Sequence, residues 1–369
     1  EIVYSETGIG GPGGYESTYL VSEGDRAPEE LYDILCGLTG RCLPIENRTI
    51  RQRNGSELIK ALQNGQQVGI ASGFKPSGPY HFGHKLTSGT VAFLQQKGAQ
   101  VFIPVADIEC DMDTDMTTDE YRFWAADNLL DWGANGVDLD AAHVYLQSEE
   151  HRVNALAYRV ARDLKFEFAV DIYGMEKLAS DFPFLFAGVT QVADIMLPQH
   201  QDFKNAHSFM VSGQDQDGHM RMTVALVKRS MEAGRDLLGV QTVPSGFYTP
   251  HIRGLKGTKA SSSKKDGTIY LGPGPDNLDL DARIAATVQM FDAAVADESS
   301  RRDAELCALD MVRYIDIFNR GSLVDFSEVA KSDGYRSLVL GFDAETDLTK
   351  RPNLQAEINA HLSRLCAEA

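Results

Sequence analysis

The chain has 369 residues, 43% of them hydrophobic and 24% charged, and a formal net charge of −18 at pH 7. This length exceeds one ordinary domain, and the composition is that of a soluble globular protein rather than a disordered or fibrous one. The acid excess speaks against a generic nucleic-acid binder, because phosphate contacts need basic surface. Two ways round that remain: the charge can be a solubilising or high-salt surface, or basic residues can be concentrated locally, as in Lys256, Lys259, Lys264 and Lys265.

Residues 1–66 read as an N-terminal extension to which no chemistry is assigned. The sequence opens at Glu1 rather than Met, and no secretory leader is read in it. Gly8–Gly14 is glycine-rich, but no Gly-Lys-Ser/Thr comes after it, so it is not a phosphate loop. Cys36 and Cys42 flank a short stretch without a second pair, and the five cysteines are scattered and odd in number. Reduced thiols in a cytoplasmic protein are expected, with no metal held by protein side chains. No apolar run is long enough to span a membrane. Ser56–Leu62 predicts a short helix.

From Val68 the pattern becomes strand alternating with helix, which predicts a Rossmann-like α/β catalytic domain over 67–275 with a parallel sheet. Val68–Ala71 reads as a buried strand. It runs into Gly73-Phe74-Lys75-Pro76-Ser77-Gly78-Pro79-Tyr80-His81-Phe82-Gly83-His84, a Gly/Pro-rich turn leading to a helix start. Glycines there let the backbone approach a ligand, and the unbonded N–H groups of a helix start attract phosphate. Two histidines three residues apart at that corner suit hydrogen bonds to phosphate oxygens. Such a short motif also arises by chance, so it gains weight only in the company of other motifs.

Leu86, Thr90, Phe93 and Leu94 fall on one helical face, Val101–Ala106 reads as a strand, and Thr117 with Glu120 forms a capping box for the next helix. Asp111, Asp113 and Asp115 lack the glycine and glutamate of a calcium loop and are expected in a solvated acidic loop. Val144–Leu146 is another strand, and a helical insertion is expected over about 100–190. Gln191 and Asp194 share a helical face on an otherwise apolar segment. They are either satisfied within the core or read the polar edge of a small ligand. After a strand over His207–Ser212, Gly213-Gln214-Asp215-Gln216-Asp217 opens a helix, where Asp215 or Asp217 is expected as cap, as ligand contact, or both. Gly257–Leu271 is a small, polar, lysine-bearing loop before a strand. Gly272-Pro273-Gly274-Pro275 closes the domain, and the spacing of Ile284, Val288 and Phe291 predicts an all-α C-terminal domain over 276–369.

Taken together these stretches resemble the class I aminoacyl-tRNA synthetases, and within them the tryptophanyl branch. His81-Phe82-Gly83-His84 resembles the family's HIGH motif, and Lys259-Ala260-Ser261-Ser262-Ser263 its KMSKS loop in the archaeal and eukaryotic form. Gln214–Asp217 with the later Arg221-Met222-Thr223 resembles the AIDQD…RMT segment, and Ser72–Gly78 is similar to the SGxQPSG strand end. The likeness covers about 68–275. Three departures are visible: Ala260 replaces the loop methionine, Ser262 its fourth-position lysine, and Ala71 the aromatic expected two positions before Gly73.

The resemblance implies a two-step reaction in which ATP with Mg²⁺ activates tryptophan and the acyl group passes to tRNA(Trp). It implies His81, His84 and Lys259 as catalytic residues. Gly73, Lys75, Pro76, Gly83, Asp215, Ser261 and Ser262 would bind ATP, and Ala71, Phe74, Gln191, Asp194 and Gln216 would line the amino-acid pocket. It also implies a homodimer joined through the insertion and an anticodon-binding role for 276–369. Asp194 would accept the indole N–H, and a carboxylate there would equally accept a tyrosine hydroxyl, so tyrosine is the alternative substrate. A catalytically idle relative that binds RNA or protein would tolerate loss of His81, His84 or Lys259, and all three are present.

Overall fold

The computed structural model describes residues 51–249, Asp181 excepted, and a few isolated positions beyond. Residues 1–50, the Lys259–Ser263 loop and, those positions apart, the expected C-terminal domain lie outside the described residues. The chain divides into two compact units. Among the described residues the first holds 51–77, 90–126 and 137–249, and the second holds 78–89 and 127–136.

The first unit is built on a six-stranded sheet in the order β1-β6-β5-β2-β3-β4. The strands are β1 (Arg51–Arg53), β2 (Val68–Ala71), β3 (Gln100–Val105), β4 (His143–Leu146), β5 (His207–Gly213) and β6 (Ser245–Thr249). All pairings are parallel except β1 with β6. Every residue of β2 is buried, as are Val101, Phe102, Ile103 and Val105 of β3. This is why both read as unbroken apolar runs: a parallel strand covered on both faces has no solvent side to mark by alternation. From β2 the chain order moves to β3 and β4 on one side and to β5 and β6 on the other. Ligands of such sheets bind at this switch point, beyond the strands' carboxyl ends.

The helices are α1 (Gly55–Gln63), α2 (Phe82–Gln96), α3 (Asp107–Asp113), α4 (Thr118–Ala134), α5 (His151–Ala161), α6 (Phe166–Tyr173), α7 (Met175–Ser180), α8 (Phe182–Met196) and α9 (Asp217–Glu232). The stretch 100–190 thus contributes two strands to the sheet, and most of its helices come after β4. Val153, Leu156 and Val160 of α5 line up at helical spacing. They pack with Val192 and Met196 of α8, Met222 and Leu226 of α9, and Phe102 of β3 in one core. The capping box starts α4 as expected: Glu120 accepts the Thr117 N–H at 2.7 Å, and Thr117 Oγ1 accepts the Glu120 N–H at 3.3 Å.

Two expectations need correction. Asp111, Asp113 and Asp115 are all exposed, as expected of a solvated run, but only Asp115 lies in a loop, because Asp107–Asp113 is helical. Asp107 and Glu109 lie in the first turn of α3, where the helix dipole favours negative charge, and Asp113 is paired with Lys75. Neither Asp215 nor Asp217 caps α9, whose cap position is Gln216 with no side-chain cap bond. Asp217 instead accepts both Nε and Nη2 of Arg53, at 2.7 and 2.9 Å, and the Tyr248 hydroxyl at 2.7 Å. That junction holds the short strand β1 against the sheet, so residues 51–66 pack within the first unit.

Beyond Ala71 the β2 backbone stays stitched to β3. The Ser72 N–H donates to the Phe102 carbonyl at 3.0 Å, and the Phe74 N–H to the Pro104 carbonyl at 3.2 Å. A Cβ on Gly73 would lie 2.0 Å from the Pro104 carbonyl oxygen. The glycine is needed here for approach to the protein's own backbone. Gly73→Ala should therefore lower stability by about 1–3 kcal/mol, as overpacking of a well-packed site does. Equilibrium urea unfolding checks this, and an unmoved midpoint would contradict the contact.

Candidate active site

At the switch point, Ser72 ties β2 to its other neighbour by donating its hydroxyl to the Val211 carbonyl at 2.7 Å. Ala71, Phe74 and Pro76 are buried, whereas Gly73 is exposed. The Lys75 ammonium is held by the Asp113 carboxylate, with Glu109 at 3.8 Å. Lys75 thus meets two carboxylates of α3, and its charge is directed towards that helix. The Cys110 thiol beside this cluster is fully buried, and burial pushes it up to about 12, where it stays protonated.

The candidate amino-acid residues fall into two hydrogen-bonded groups within the first unit. Gln191 on α8 donates to Gln216 at 2.9 Å, and Gln216 donates to Asp215 at 3.3 Å. These three form one chain at the carboxyl end of β5. Asp194, one turn further along α8, is 2% exposed. Its Oδ1 accepts the Tyr145 hydroxyl at 2.8 Å and its Oδ2 accepts Gln147 Nε2 at 2.5 Å. Tyr145 lies on β4 and Gln147 just beyond it, so the carboxylate is gripped from the sheet. Burial raises its pKa to about 7; the two bonds oppose that rise, and the negative charges of Asp107 and Glu150 add to it. Asp107 itself is taken up by the Ser148 N–H at 3.1 Å and by the Ser148 hydroxyl.

The histidine corner lies in the second unit. His81 and His84 are stacked, with ring centroids 3.8 Å apart and planes 21° from parallel. The Gly83 N–H donates to His81 Nδ1 at 3.0 Å. A neutral His81 therefore carries its proton on Nε2. A Cβ on Gly83 would come within 2.9 Å of His81 Cε1, so the motif's glycine makes room for its own histidine. Below the pair, Lys85 is 1% exposed. Desolvation lowers its pKa to about 7, and the Asp131 charge acts in the opposite sense.

Lys259, Ser261 and Ser262 lie outside the described residues. Sequence reasoning missed Tyr145 and Gln147, whose meeting with Asp194 is a tertiary contact. It also missed Asn128, Asp131 and Asn135, which the sequence does mark as a polar stripe at helical spacing on α4. Among the described residues no group of three or more His, Cys, Asp or Glu side chains is placed to hold a metal. No helix there is long and apolar enough to cross a membrane.

Residues 63–280 match the family of class I tRNA synthetases (W and Y). Over 246 residues the chain is 32% identical to the tryptophan–tRNA ligase of Methanopyrus kandleri; the match takes in 65% of this chain and spans 63% of the length of that relative. Among solved structures, the tryptophanyl-tRNA synthetase of Aeropyrum pernix superimposes with a TM-score of 0.66 at 24% identity, covering 92% of this chain and 91% of that one. The tyrosyl-tRNA synthetase of Archaeoglobus fulgidus does so with a TM-score of 0.56 at 20% identity, covering 89% and 98%. Likeness at these identities speaks to the fold, which the two structures share.

The raised pKa of Asp194 sets a pH dependence of stability. The folded carboxyl titrates near 7 and the unfolded one near 3.8. The native state thus holds the extra proton between those values, and this contribution is complete below about pH 4 and lost as pH rises through 7. Asp194→Asn should be free of that loss. Between about pH 4 and pH 8 the stability difference between the two proteins should move in favour of Asn by on the order of 4 kcal/mol. Urea unfolding across that range measures it, and parallel curves would contradict a buried Asp194.

Proposed function

The chain belongs to the class I tRNA synthetases (W and Y), and on that premise we propose that it activates tryptophan with MgATP and transfers it to tRNA(Trp). The observation that carries the reading is the stacked His81–His84 pair at the head of α2, inside the matched segment. Helix N–H groups and imidazole donors together make a phosphate site.

In the first step a tryptophan carboxylate oxygen bonds to the α-phosphorus of ATP as the bond from that phosphorus to the bridging oxygen of pyrophosphate breaks. The products are tryptophanyl-adenylate and pyrophosphate. In the second, a terminal ribose hydroxyl of the tRNA attacks the acyl carbon and AMP leaves. Neither step needs a protein nucleophile, so the protein's contribution is positioning and charge stabilisation. His81 and His84 donate to phosphate oxygens, and Lys259, with the Ser261 and Ser262 hydroxyls, meets the leaving pyrophosphate. The chain Gln191–Gln216–Asp215 holds the ribose and the substrate amine. Mg²⁺ arrives on ATP as part of the substrate.

For the side chain, Asp194 is the acceptor for the indole N–H, oriented by Tyr145 and Gln147. Each Asp194 oxygen keeps one partner within the protein, so the indole N–H would take a second lone pair of an acceptor already fixed in place. Tyrosine offers a donor too. The relative's tryptophan specificity and the Asp-Gln-Asp…Arg-Met-Thr order favour tryptophan. The homodimer reading is supported by Phe166, Met175 and Phe186, 47%, 54% and 60% exposed on three consecutive helices of the segment after β4. Light scattering should give about twice the 40.5 kDa chain mass, and a monomer mass would remove that part of the reading.

The test is ATP–pyrophosphate exchange with each amino acid in turn. Tryptophan alone should support it, and Lys259→Ala should lower kcat by about 100-fold or more while changing the KM for ATP far less. Exchange with tyrosine instead would overturn the specificity, and exchange with none would overturn the function.

A further inference from the structure

A stripe of buried polar side chains in the second unit has no role in the reaction as written. Asn128, Asp131 and Asn135 fall on one face at the end of α4, and they are 1%, 7% and 3% exposed. Asn128 Nδ2 donates to the Gly78 carbonyl at 3.0 Å, just ahead of the histidine corner. Asn135 Nδ2 donates to the Lys85 carbonyl at 3.0 Å and to Ser88 Oγ at 2.5 Å, just after it. Ser88 also bonds the buried Tyr80 hydroxyl. Between the two asparagines, Asp131 is the charge that acts on buried Lys85, whose own N–H donates to the His81 carbonyl at 3.1 Å.

Two features of this arrangement point beyond packing. Apolar residues of similar volume fill such a site at a smaller desolvation cost, so a buried polar stripe is a poor choice for stability alone. The asparagine amides bond main-chain carbonyls at both ends of the segment carrying His81 and His84. Directional bonds at both ends fix the path of a short backbone segment in a way that non-directional packing does not.

We propose that Asn128 and Asn135 are positioning residues that set the backbone of the His81–His84 corner for phosphate binding. The proposal rests on the reading of those histidines given above. Fixing donors within a fraction of an ångström matters because a displacement of about 1 Å is enough to cost a rate on the order of 100-fold.

The experiment compares full-length Asn135→Ala and the near-isosteric Asn128→Leu with Asn205→Ala. Asn205 is as buried, and its amide donates to the Pro198 carbonyl at 2.9 Å, but it is far in sequence from the corner. Exchange kinetics should show kcat lowered by about 10-fold to 100-fold in the first two, with the KM for tryptophan within about twofold of the unmutated value. Asn128→Gln, which keeps the amide donor, should recover part of that loss. Imidazole resonances of His81 and His84, tracked in ¹⁵N-histidine-labelled protein, should shift in both variants. Asn205→Ala should lose stability yet keep kcat and both resonances. The proposal fails if Asn135→Ala and Asn128→Leu behave as Asn205→Ala does. Should Asn135→Ala not fold, Asn128→Leu decides alone. If the unmutated protein exchanges with no amino acid, the functional reading falls separately and the imidazole signals still decide the positioning.

Discussion

The backbone bond from Phe74 to the Pro104 carbonyl, with the Ser72 hydroxyl on the Val211 carbonyl, fixes how the chain leaves the centre of the sheet. One bond faces β3 and the other faces β5, so the exit from β2 is held from both sides of the switch point. Lys75 comes next in sequence, and its pairing with Asp113 results from where that exit aims it. The glycine at 73 exists for this reason, because any side chain there would meet the Pro104 carbonyl first.

Buried polar groups are the second organising feature, and each is held by directional partners. Asp194 takes one bond from β4 and one from the residue just beyond it. Asp217 binds Arg53 and Tyr248, and so draws the antiparallel edge strand onto an otherwise parallel sheet. Such groups add little net stability, since desolvation offsets much of the attraction. Their effect is to make one arrangement of neighbouring elements far better than others. In the first unit that arrangement fixes Asp194 between α8 and the end of β4, and in the second it includes a pair of histidines.

Much of the fold was legible in the sequence, because buried parallel strands carry unbroken apolar runs and α4 announces itself with Thr117 and Glu120. The His-Phe-Gly-His corner was equally plain, since its glycine and histidines are adjacent in sequence. What the sequence hid was contact between distant residues. Tyr145, Gln147 and Asp194 meet across nearly fifty positions, and β1 is three residues long with its anchor at Asp217. The acidic run misled only in part: its aspartates are solvated, but Asp111 and Asp113 stand on a short helix, where Lys75 reaches Asp113. The Asn128–Asp131–Asn135 stripe was readable as a period, but nothing local said that its face is buried.

Tryptophanyl-adenylate held by the chain is the product that separates the proposed activity from that of a tyrosine-specific or idle relative. The most direct measurement is mass spectrometry of the protein-bound product after incubation with MgATP, all twenty amino acids and pyrophosphatase, ended by a rapid quench. The account predicts tryptophanyl-adenylate in near-stoichiometric amount with the chain. Tyrosyl-adenylate, or ATP left intact in the bound fraction, would contradict it.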